Sequence, residues 1–201
     1  MENISRTDNF HRILFSGRCI SETVVACESF NWSRLGWRSR NLRRVILALT
    51  TCFVNSAKGD FLAGRNLAAN AYKMALVKVG HTGTYDTLVT AAGTPGTGAP
   101  TTSNLGTDEV TTSGSYAAGG FTMAGYTAGA STTTSWVDWT TDPNWTTATL
   151  SAVGCMLYND TVVGKPVISL HDFGGTVTST AGTFTITLPA AAAATALVRI
   201  A

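Results

Sequence analysis

Charged side chains are what this chain most lacks. Asp, Glu, Lys and Arg make up 13% of its 201 residues while apolar residues make up 44%, about half the ionic share of an ordinary soluble domain. Wholesale disorder requires low hydrophobicity with high net charge, so this composition excludes it. The exterior must then be built mostly from Thr, Ser, Gly and Ala. Such a surface is easier to strip of water than a charged one, which favours extensive contact with other chains.

Metal- and thiol-chemistry residues are also few. His11, His81 and His171 fall in three separate regions, and of Cys19, Cys27, Cys52 and Cys155 only the last lies beyond residue 53. No pair has C-x-x-C spacing and no His/Cys cluster forms, so a zinc or dithiol centre has no ligand set. Cys155 sits in an apolar run and reads as a small core residue; a disulfide framework would leave it without a partner in the body. No metal or cofactor is expected.

Long apolar runs are missing too. The stretch Val45-Ile46-Leu47-Ala48-Leu49-Thr50-Thr51-Cys52-Phe53 follows Arg43-Arg44 and imitates a signal-peptide core. It is too short to cross a bilayer and sits too late for an ordinary signal. Thr before Cys52 makes it a poor lipoprotein box. No membrane association is expected.

What charge there is lies unevenly. Residues 1–53 hold eight Arg against four acids, a net +4, whereas the remainder holds six bases and eight acids, a net −2. A basic arm on a slightly acidic body suits nucleic acid or an acidic partner, but the arginines are scattered rather than run together. Nucleic acid is therefore the minor reading and an unstructured tail the plainer one. The sequence changes character near Val54, from Arg, Trp and Cys without sustained period to short apolar runs separated by Gly, Thr and Ser. We expect residues 1–54 to be a basic extension, either a peripheral arm or an over-extended start, and residues 55–201 to be the folded domain.

Within that domain, residues 56–70 read as a short helix or helical turn, with Ser56 as N-cap and Phe61 and Leu62 as an apolar anchor. Period-2 alternation predicts strands over 71–79, 108–112, 120–126, 134–140, 148–158, 166–173, 183–188 and 196–200. In the strand over 148–158, the expectation puts Ser151, Val153, Cys155 and Leu157 on one face and Leu150, Ala152, Met156 and Tyr158 on the other. Gly174-Gly175 is expected to close the strand before it, and residues 91–104, with Pro95 and Pro100, to form a surface loop. About eight short strands with a short N-terminal helix define an all-β domain, a β-sandwich of jelly-roll-like character.

No catalytic constellation emerges. His171-Asp172 invites a dyad reading, but adjacent strand residues point to opposite faces. Asp108-Glu109 reads as the end of a strand or a turn cap, and the glycines at 93, 96 and 98 lack the Lys-Ser/Thr of a phosphate loop. Trp136, Trp139 and Trp145 have two readings. Exposed, they form a sugar-stacking patch; buried, they plug the sandwich, and core packing is the favoured one.

Five blocks, in order, carry a family resemblance: Ala71-Tyr72-Lys73-Met74-Ala75-Leu76-Val77; Asp108-Glu109-Val110 with Ser115-Tyr116-Ala117-Ala118-Gly119-Gly120; Val137-Asp138-Trp139 through Ala152-Val153-Gly154-Cys155-Met156-Leu157-Tyr158-Asn159-Asp160; Pro166 through Gly175; and Gly182-Thr183-Phe184-Thr185-Ile186. From about residue 57 onward the chain resembles small virion structural proteins of tailed bacteriophages. Val153 stands where that family commonly has Arg, His81 through Tyr85 replace its usual turn, and residues 1–53 match nothing in it. The resemblance implies a non-enzymatic virion component, assembled in the host bacterial cytoplasm. Its leading form is a capsid decoration or cement protein that binds the major capsid protein or other virion proteins, as a homo-oligomer. The alternative is a tail-associated adhesin that recognises a host glycan through Trp136, Trp139 and Trp145.

Overall fold

Short alternating runs punctuated by Gly and Thr become eight strands and one helix. The computed structural model describes residues 48–66 and 68–201, all within one of the chain's two units, residues 44–201. In chain order they are β1 (Cys52–Phe53), α1 (Asn55–Leu62), β2 (Tyr72–Lys78), β3 (Phe121–Met123), β4 (Tyr126–Ala130), β5 (Ser135–Trp139), β6 (Asn144–Asn159), β7 (Val167–Thr185) and β8 (Val198–Ile200). They make two antiparallel sheets, one of five strands ordered β1-β7-β6-β2-β3 and one of three ordered β4-β5-β8. The chain is an all-β, sandwich-like protein. The basic extension, with His11, Cys19 and Cys27, lies outside the described residues except for its last seven positions.

The five-stranded sheet is covered on both faces where β2 pairs with the second half of β6, which explains why Tyr72–Val77 and Ala152–Tyr158 are largely apolar on both sides. On one face Tyr72, Met74 and Leu76 of β2 meet Val137 and Trp139 of β5 and Val198 of β8. On the other, Ala75 and Val77 pack with Tyr85, Val89, Ala92 and Leu105 from the long connection between β2 and β3. Leu49, Cys52 and Phe53 pack against that second cluster and Val54 is fully buried in it. The folded body thus takes in residues that the change of composition near Val54 left to the extension.

Several local expectations are corrected. Helix α1 begins after Val54, whose extended backbone precedes it with no side-chain cap; Ser56 lies within the first turn with its Oγ buried and unpartnered. Strand β7 does not end at Gly174-Gly175 but runs on to Thr185, joining two segments the sequence separates. Pairing passes from Gly154↔Asp172 to Ala152↔Val177, so four residues of β7 bulge opposite Val153 alone. Gly174, at φ 73°, supplies the left-handed backbone that this bulge requires.

The same irregularity switches the faces of β6. Leu150, Ala152, Cys155 and Leu157 all point into the inter-sheet core, while Val153, Met156 and Tyr158 face the second cluster. Strict alternation would have split the first group.

Residues 108–112 form no strand. A 3-10 turn, Gly106–Asp108, leads into a lone bridge between Val77 and Glu109. Residues 91–104 contain neither helix nor strand, yet Ala92 and Pro95 are buried, so the segment is a covering layer more than a free loop. Asn104 holds it in shape: Oδ1 accepts the N–H groups of Thr94 (2.9 Å) and Gly106 (3.2 Å), and Nδ2 donates to the carbonyls of Thr97 (3.1 Å) and Ala99 (3.2 Å).

Candidate functional site

The three tryptophans do not form one platform. Trp139 and Trp145 are each 2% exposed. Trp139 lies edge-on to Tyr72 at 5.0 Å and Tyr126 at 5.6 Å, and Trp145 is ringed by Tyr116, Phe121 and Phe184 at 5.2, 5.9 and 6.0 Å. Both are core anchors with no ring face open to a sugar. Trp136 is different: it is half-buried and lies flat on β4, where a Cβ on its pair partner Gly129 would come within 2.5 Å of its Cζ2. It borders a cavity of about 200 Å³ with Phe61, Ala128, Val137, Val198 and Ile200. That lining suits an aliphatic side chain better than a hydroxyl-rich sugar, which needs convergent polar groups.

Phe61 and Leu62 divide likewise. Phe61 packs edge-on to Phe53 at 5.7 Å and against the inter-sheet core. Leu62, next to it, is 90% exposed. Leu88, Val163 and Ile200 are further large apolar side chains open to solvent.

Two adjacent carboxylates are buried, and they face different partners. Asp108 accepts the N–H groups of Thr82 (2.8 Å) and Gly83 (2.7 Å) and the Tyr85 hydroxyl (2.8 Å), with Lys78 3.7 Å away. Burial alone would raise its pKa; the hydrogen bonds from Gly83, Thr82 and Tyr85 outweigh that and hold it below the ordinary value. Glu109 Oε1 accepts the Tyr116 hydroxyl (2.8 Å) and the Gly119 N–H (2.7 Å), while Oε2 is buried without a partner. Here burial prevails over those two bonds and over Lys73 and Lys165, and the pKa is raised. Tyr116 in turn accepts the Leu76 N–H at 3.0 Å. The pair therefore clamps the β2–β3 connection onto the sheet, a structural role for which the Asp-Glu dipeptide was the only sequence signal.

His171 and Asp172 do not meet as a dyad. Asp172 accepts the Gly174 N–H at 2.9 Å, while His171 Nε2 lies 2.9 Å from Ser169 Oγ on the same face of β7. His171 borders a cleft of about 440 Å³ between β1, β7 and β8 that Ser169 and Arg199 also line. Burial lowers the imidazole pKa to about 4, which leaves it neutral and weakly basic at pH 7. His81 is engaged locally, its Nδ1–H donating to the Gly83 carbonyl at 2.9 Å. Among the described residues no group of three His, Cys, Asp or Glu converges as a metal site, and no helix is long and apolar enough to cross a membrane.

What fold and geometry define is a class: an all-β, two-sheet protein whose buried polar groups brace loops. Comparisons with protein-family models, curated proteins and solved structures find no match for the chain.

Proposed function

We propose that this chain is a structural component of a tailed-bacteriophage virion, a decoration or cement protein that binds the major capsid protein on the head surface. The observation that carries the reading is the sparsely ionised exterior. Residues 54–201 hold fourteen charged side chains, of which Asp108, Glu109 and Asp138 are buried. The rest is spread over a Thr-, Ser- and Gly-rich surface from which Leu62, Leu88, Val163 and Ile200 protrude. Such a surface loses little on desolvation and gains from apolar, shape-driven contact. The ordered blocks shared with phage virion proteins support the same reading, and residues 91–104, 128–134 and the Leu62–Trp136 neighbourhood are its contact candidates.

Quantitative mass spectrometry of purified particles tests it. Hundreds of copies per virion are expected; tens of copies would remove the decoration role. The adhesin alternative now rests on Trp136 alone, because its two companions are core residues. Trp136→Ala would then abolish host adsorption with the domain still folded; unchanged adsorption by that variant would dismiss it.

A further inference from the structure

The three-stranded sheet is too narrow to cover the five-stranded one. Beside His171 and Phe173 of β7, the opposing wall comes instead from residues 186–197, which contain neither helix nor strand. Two cavities open there. The cleft of about 440 Å³ beside Ser169 adjoins a second one of about 360 Å³, for both are lined by Thr51, His171, Leu197 and Arg199. The second reaches the inter-sheet core: Met74 and Cys155, each 1% exposed, form part of its wall together with Ile186 and Leu188. Neither cavity has an acidic side chain in its lining.

Polar groups converge where the two spaces meet. Arg199 donates from one guanidinium nitrogen to the Ala194 carbonyl and forms no ion pair among the described residues. Most of its N–H donors are thus left to the cleft or to water. Ser169 and His171 hold one another at 2.9 Å on the cleft wall. Because the buried imidazole is neutral at pH 7, Arg199 is the one positive side chain in the lining. Apolar walls with a few convergent polar groups, in the range of about 300–1,000 Å³, are the architecture of a small-molecule pocket. The lining also selects the ligand. A sugar would find no polar partners beside Met74 and Cys155, a dianion would lack a second cation, and a cation would meet Arg199 with no carboxylate to offset it. An alkyl chain that ends in one carboxylate satisfies both parts.

We propose that these adjoining cavities bind a single-chain amphipathic carboxylate, a free medium-chain alkanoate, with its head group on Arg199 and its chain between the sheets against Met74, Cys155 and Leu188. The chain contributes by burial, so each added CH₂ should tighten binding about fourfold until the cavity is filled. The head group fixes the orientation, because a guanidinium fork matches a carboxylate. The inference does not depend on where the protein acts: it concerns the free chain and stands or falls apart from the virion reading.

Calorimetric titration of the full chain with hexanoate, octanoate and decanoate, and with octanol as the uncharged control, tests it alongside methyl NMR. The expected result is saturable one-to-one binding that tightens about fourfold per CH₂, with methyl shifts confined to Met74, Ile186, Leu188 and Leu197. Arg199→Gln should weaken octanoate by about tenfold or more and leave octanol unchanged. Arg199→Lys, which keeps the charge without the fork, should fall between. Absence of saturable binding would overturn the proposal. So would shifts centred on Leu62 or Val163, the marks of adsorption to exposed apolar side chains, or an octanoate affinity that Arg199→Gln leaves intact. An equal loss for octanol would also overturn it, since Arg199 would then support the turn at Ala194 and not the head group.

Discussion

At the scale of single residues, Asp108 and Glu109 are neighbours that respond to acid in opposite senses. Asp108 is a carboxylate surrounded by donors. With its folded pKa below the unfolded value, its contribution is fully present above the unfolded pKa and is lost as pH falls through the folded one. Asp108→Asn keeps the size but turns an amide NH₂ towards the Thr82 and Gly83 N–H groups, leaving buried donors unpaired. A loss of about 3 kcal/mol is expected, read as a lower urea midpoint with unchanged slope. Glu109 is the reverse case. Its folded pKa is raised, so ionisation penalises the fold above that pKa and the penalty fades as pH falls. Glu109→Gln keeps an oxygen for Tyr116 and Gly119 and removes the buried charge on Oε2. We expect a gain of about 1 kcal/mol at pH 7 that shrinks to nothing near pH ~4. Paired thermal melts at the two pH values check it; a gain that grew in acid would contradict the assignment. His171, pushed down to about 4 by burial, adds a destabilising term between its ordinary 6.5 and that value, because the folded state resists the proton that the unfolded state accepts.

Elements show where pattern suffices and where it fails. Trp139 and Trp145 each lock a strand to the core through aromatic edges, so Trp→Ala at either should cost about 3–5 kcal/mol. Trp136→Ala removes a half-buried ring lying on Gly129 and should cost about 1 kcal/mol. Urea unfolding of the three variants checks the ranking, and comparable losses for all three would place Trp136 in the core as well. Strands β2, β5 and β8 were legible because each is a short run bounded by turn residues. The two-sheet class followed from the number of such runs. β7 was not legible because Gly174-Gly175 has the same composition in a bulge as in a turn, and only the partner strand decides which it is. The faces of β6 were misread for the same reason: alternation counts residues, and a bulge inserts some without advancing the ladder. At the site, the core role favoured for Trp139 was readable from aromatic burial alone.

On the scale of the whole molecule, charge separates attachment by the body from attachment by the extension. The body carries a net −2 with its ionic groups sparse, while residues 1–53 carry +4 in arginine. Contacts made by apolar and neutral polar surface are insensitive to salt, whereas contacts between exposed charges are screened once the Debye length contracts, from about 10 Å at 0.1 M to about 3 Å at 1 M. If attachment to the phage head runs through the body, affinity for particles stripped of the protein should change by less than about threefold across that range. Apolar contact would even be strengthened by sulfate, which is excluded from protein surfaces. Rebinding titrations of the full chain in sodium chloride and in sodium sulfate give the comparison directly. A steep fall with sodium chloride would move the contact to the arginines of the extension and to an acidic or nucleic-acid partner, and the sparsely charged exterior of the sandwich would then need another explanation.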